Sequence, residues 1–270
     1  MFATDFEYDG HYLSDFGFII CNFNGSSDTD IVSAGSKISF NTVPTHYGKK
    51  YSLAGTQYDE CITATFDICK STCYGEDFVI TNDEFRDIMR WLNRREFLEF
   101  RMIDDGDDDK DTCFYEASFN VDKIMSDQGL VGLELTLETN SPFGYGQEQF
   151  YSWTMAGGST KRVYDLSDEI GYIYPSMVIT IKEAGTLQIS NDLEPCLMVI
   201  KNCSVGEVIR IDGDTHIITS SLDSHKICDD FNFEYLRIGN TAENRDNRIK
   251  TSLACKMEIR FKPVIKGSPG

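Results

Sequence analysis

The 270-residue sequence has no run approaching the ~20 consecutive apolar residues that a membrane-crossing helix needs. It is also poor in positive charge: 25 basic residues face 44 acidic ones, for a net charge of −19. A nucleic-acid binder needs a basic footprint on phosphate, and docking on anionic lipid needs one too, so neither class fits. Proline is scarce, at 6 residues, and no Gly/Ser tract or single-residue repeat occurs. With 41% hydrophobic and 12% aromatic residues, the chain can bury a core, and disorder throughout is not expected. The stretch Met1 to Glu7 has neither the basic region nor the apolar region of a secretory leader. The chain is therefore expected to be made and kept in a cytoplasm, or to leave it by another route.

Reactive constellations are missing as well. His11, His46, His216 and His225 are scattered, with no metal-ligand spacing. There is no nucleophile elbow and no glycine-rich phosphate loop; Gly144-x-Gly146 lacks the later glycine. The cysteines number 9 and contain no Cys-x-x-Cys, and only Cys61, Cys69 and Cys73 lie near one another. They read as free, partly buried thiols and not as a zinc site or a disulfide framework. Carboxylates are too plentiful for one pair to be singled out as an acid–base dyad. No catalytic, cofactor-binding or metal-ligating residue is assigned, and no cofactor is expected.

What is present is mainly β pattern. Met257, Ile259 and Phe261 alternate with Lys256, Glu258, Arg260 and Lys262, a strand with one dry and one wet face. With Arg248 to Ser252 it reads as a closing strand pair. Phe6 and Tyr8 before Asp9-Gly10 suggest a strand entering a tight turn. Strands are also expected at 16–21, 38–43, 62–68, 97–103, 114–119 and 131–139. After position 170 short strands recur about every ten residues, with turns such as Asp212-Gly213-Asp214, which is the sandwich pattern. One helix stands out, over 82–93. Thr81 and Glu84 form a capping box, and Phe85, Ile88, Met89 and Leu92 make one apolar stripe. Ser141-Pro142-Phe143-Gly144 breaks the pattern and marks a boundary. Two domains follow, 1–145 and 146–270, all-β apart from the single helix.

Two stretches carry weighed readings. The run Asp104 to Asp111 lacks the order of a calcium-binding loop and reads as a solvated hairpin tip that resists edge-to-edge pairing. Phe150-Tyr151-x-Trp153 has the residues to stack a sugar, but reads rather as a hydrophobic clasp linking the domains.

The order of these features resembles the distal tail (Dit) protein family of long-tailed phages. The resemblance is carried by Arg90-Trp91-Leu92 before a strand, by Phe114-Tyr115-Glu116-Ala117, and by Leu133 to Thr139 running into Ser141-Pro142-Phe143-Gly144. Tyr174 to Ile179, Gly206 to Gly213 and Phe233 to Pro263 carry it through the second half. It implies a non-enzymatic virion part at the tail tip, assembled in the bacterial host cytoplasm. The N-terminal β-rich domain would form a homohexameric ring or belt, and the C-terminal domain a galectin-like β-sandwich. The implied partners are the tail tube protein, the tape measure protein, the tail-associated lysin or fibre hub, and a receptor-binding protein. The acidic excess would keep free subunits apart before assembly or line the ring lumen. The alternative is a carbohydrate-binding module or host-surface adhesin using the C-terminal sandwich. Trp153, Tyr172, Tyr174 and Tyr235 supply aromatics there, without a visible stacking pair. A hydrolase ranks last.

Overall fold

Asp9 and Gly10 both take positive φ, 51° and 73°, and this turns the chain tightly enough to fold strand β1 (Ala3–Tyr8) back on β2 (His11–Tyr12). In this computed structural model the described residues are 3–23, 35, 37–45, 47–48, 50–58, 61–71, 78–104 and 113–267. They divide into two units. The division falls after Tyr145, and the described residues from Ile265 onward belong with the first unit instead of ending the second.

In the first unit, β3 (Phe18–Cys21), β4 (Ile38–Thr45), β5 (Lys50–Tyr58) and β6 (Thr63–Lys70) precede helix α1 (Asn82–Leu92). Strands β7 (Leu98–Asp104), β8 (Tyr115–Ser126), β9 (Gly129–Thr139) and β10 (Gly144–Tyr145) follow. Seven of them form one antiparallel sheet in the order β2-β1-β7-β8-β9-β6-β3. Alternation puts Phe66, Phe100, Phe119, Leu133, Leu135 and Leu137 on its inner face, all buried. Helix α1 covers that face with Ile88, Trp91 and Leu92. Trp91 lies nearly parallel to Phe6 with centroids 5.5 Å apart, and its Nε1 donates to the Tyr8 carbonyl at 3.0 Å. A buried indole N–H thus finds a partner while its ring fills the core. Glu84 N donates to Thr81 Oγ1 at 3.3 Å and Thr81 N to Glu84 Oε2 at 2.7 Å, so the expected capping box starts the helix.

Strands β4 and β5 are not part of the seven-stranded sheet, and among the described residues they pair only with each other.

The second unit holds β11 (Gln149–Met155), β12 (Thr160–Tyr164), β13 (Gly171–Ile173), β14 (Ser176–Ile181), β15 (Gly185–Asn191) and β16 (Leu197–Cys203). It continues with β17 (Val208–Ile211), β18 (Ile218–Ser220), the one-turn helix α2 (Ile227–Asp230), β19 (Ile238–Asn240), β20 (Asp246–Thr251) and β21 (Cys255–Phe261). A five-stranded sheet, β11-β21-β14-β17-β18, and a four-stranded sheet, β12-β20-β15-β16, share one core. Met177, Ile179, Ile209 and Met257 enter it from one sheet, and Leu187, Ile189, Met198 and Ile249 from the other. This is the sandwich expected from the strand spacing.

Two expectations fail here. Strands β20 and β21 do not pair: β20 joins β12 and β15, while β21 joins β11 and β14. The connection through Ser252 to Ala254 carries the chain from one sheet to the other, so both strands can turn their apolar sides inward. Helix α2 is the second departure; at four residues it is too short to leave a periodic apolar stripe.

Candidate assembly surface

Thr45 and Lys50 end the two strands of the β4–β5 arm, and Tyr47 and Gly48 make its turn with φ of 54° and 78°. Gly48 N donates to the Thr45 carbonyl at 3.2 Å, and Thr45 Oγ1 to the Lys50 carbonyl at 3.0 Å. The flanks are not buried. Phe40, Tyr51 and Leu53 are 64%, 66% and 60% exposed, and Ile38 and Val43 are also open to solvent. Leu53 pairs with Thr42 and Val43 with Ser52, on adjacent rungs of the ladder, so apolar groups project from both faces of the ribbon. Its base is held at Tyr58, whose ring meets Phe143 edge to face at 4.6 Å. Among the described residues, no third strand covers either outer edge. An isolated two-stranded ribbon is marginal in water, and unpaired edges with exposed apolar groups invite another chain.

The outer face of the seven-stranded sheet has a different character. Asp122 stands opposite Glu134 and Glu134 opposite Asp67, so three carboxylates lie side by side across β8, β9 and β6. None forms an ion pair with a described lysine or arginine. Like charges directly opposite on a sheet are destabilising. The neighbouring rung is neutral, with Asn120, Thr136 and Thr65.

In the second unit the aromatics singled out in the sequence fall into two groups. Tyr151 and Trp153 stack at 5.3 Å and pack against that unit's own core. Phe150, on the other side of β11, is half exposed under the Arg260 guanidinium at 4.6 Å. Tyr172, Tyr174, His216 and Tyr235 come together from separate segments through edge-to-face contacts, with Arg237 4.6 Å above Tyr172. An open groove of about 320 Å³ on the outer face of the five-stranded sheet is lined by Arg210, Asp212, Glu258 and Arg260 among others, with no aromatic ring.

Cys21 and Cys69 hydrogen-bond each other across β3 and β6, but among the described residues no group of three or more Cys, His, Asp or Glu could hold a metal ion. Cys196, Cys203 and Cys255 are buried core residues, Cys61 is exposed and Cys69 half-buried, and all are free. Burial pushes the Cys203 thiol up to about 11 and that of Cys255 above its ordinary value, against the thiolate that chemistry or metal binding would use. Cys73 lies outside the described residues, as do His46 and the acidic run beyond Asp104. No described helix is long and apolar enough to cross a membrane.

The sequence foresaw a strand near 38–43 but not its partner. Tyr51 and Leu53 are interleaved with Ser52, Ala54, Gly55 and Thr56, too weak a pattern for a strand whose described side chains are mostly exposed. The legible signal was charge: Ile31 to Tyr58 is the longest stretch without Asp or Glu, and it holds Lys37, Lys49 and Lys50.

Residues 1–141 match the family described as "Phage tail protein N-terminal domain", and residues 143–261 match "Phage tail C-terminal domain". No curated protein matches the chain by sequence. Among solved structures it is similar to the Dit protein of phage SPP1, described as a paradigm of hub adsorption apparatus in phages that infect Gram-positive bacteria. The TM-score is 0.65 at 12% identity, over 96% of this chain and 98% of that one. At that identity the likeness speaks to the fold.

Proposed function

The chain belongs to this phage tail protein family and is a structural component of a phage tail, and from that premise we propose that it is a distal tail protein that assembles into a homohexameric ring. The ring would join the tail tube to the adsorption apparatus at the tip. The N-terminal domain, residues 1–145, would form the ring or belt. The second would project as a galectin-like sandwich for docking or host contact. Tube protein, tape measure protein, the tail-associated lysin or fibre hub, and a receptor-binding protein are the proposed neighbours. The protein would act by assembly and not by catalysis.

The observation that carries this reading is the β4–β5 arm, a two-stranded ribbon that concentrates five exposed apolar side chains and whose outer edges no described strand covers. Such a ribbon is costly in a free monomer and useful in a subunit that is covered by another. The tail-tip position is tested by gold-labelled antibody against the chain on intact particles. Label confined to the end of the tail distal to the capsid supports the reading; label along the whole tube or at the capsid would overturn it.

A further inference from the structure

The arm runs against the charge of its own protein. Within a chain of net charge −19, the segment bearing β4 and β5 has three lysines and no carboxylate. A surface that covers it must offer apolar contact and negative charge. The outer face of the seven-stranded sheet offers the charge, through the Asp67, Glu134 and Asp122 row. That row is a local penalty in the free chain, and a cation set against it would remove the penalty. The two features complement each other and lie on different elements. A contact that joins them between copies is therefore heterologous, the kind that closes into a ring when the rotation allows.

Resting on the ring reading, we propose that the β4–β5 arm of one copy docks on the acidic outer face of the next copy, at the Asp67–Glu134–Asp122 row. Phe40, Tyr51 and Leu53 supply the apolar contact from one face of the ribbon, and Lys50, turned to the other face beside the hairpin turn, supplies the charge at its end. Ring closure is then head-to-tail.

The test uses the full chain in sedimentation velocity, with circular dichroism as the check on folding. The arm variant is Phe40→Ser with Leu53→Ser, and the face variant is Asp122→Lys with Glu134→Lys. All four positions point away from the core, so both variants are expected to keep the wild-type spectrum. Each alone is expected to lose the ring. Mixed one to one, they are expected to give a dimer and nothing larger, because only the intact arm of one meets the intact face of the other. An arm variant or a face variant that still forms the ring overturns the proposal and leaves the ring reading standing. So does a mixture that stays monomeric. A wild-type chain that forms no ring overturns the ring reading itself.

Discussion

Glu207 is a fully buried carboxylate in the second unit, and its surroundings explain why it is tolerated. Ser220 Oγ donates to its Oε1 at 2.6 Å, Ser204 N donates to Oε2 at 2.9 Å, and His225 Nδ1 lies 2.5 Å from Oε1. His225 Nε2 in turn lies 3.3 Å from Asp230. Burial pushes the Glu207 carboxyl up, but these hydrogen bonds more than offset it and hold the group below its ordinary value. With the folded value depressed, its stabilisation is present above the unfolded value of about 4.3 and is lost as pH falls through the folded one. Calorimetry below pH 4 should show the melting temperature falling. Glu207→Gln should lower it at pH 7, reflecting a loss of stability on the order of 3 kcal/mol, because buried partners lose a charged acceptor. The same variant should make the acid limb shallower, though Asp212 and Asp246, held low by their own partners, keep part of the slope. An unchanged acid limb would contradict this role. None of this was legible in the sequence, since 18 positions separate Glu207 from His225 and no motif joins them.

Elements were legible where the local pattern and the burial agree. Helix α1 announced itself through Thr81, Glu84 and its stripe, and the structure returns the cap and the buried Ile88 and Leu92. Thr81→Ala should cost about 1 kcal/mol, seen as a fall of a few degrees in melting temperature, while Thr81→Ser should be near neutral. Strand β21 was equally plain, because Met257, Ile259 and Phe261 face one core along their whole length. Its pairing was not: alternation says which side chains are dry, not which sheet a strand joins. Strand β5 was missed for the opposite reason, since most of its side chains before Tyr58 are exposed among the described residues.

At the scale of the whole molecule, strand spacing pointed to an all-β class and the short motifs to a phage tail family, whose resemblance implied a non-enzymatic part. Assembly lies beyond any single-chain pattern, and on the proposed reading the net charge opposes it. Subunits of net charge −19 repel over tens of ångströms at low salt, whereas an arm seated on its neighbour interacts at close range. Screening should weaken the long-range repulsion more than the contact. Light scattering should therefore show assembly strengthening as salt rises from roughly 0.02 M to 0.3 M. Monotonic dissociation over that range would mean that attraction between the charges, and not self-repulsion, sets the balance.

The most direct measurement is native mass spectrometry of the purified wild-type chain across a concentration series. The account predicts a dominant species at six times the 30.6 kDa chain, with few intermediates, as expected when a ring closes. A monomer that persists to the highest concentration, or an open-ended ladder with no preferred sixfold product, would contradict it.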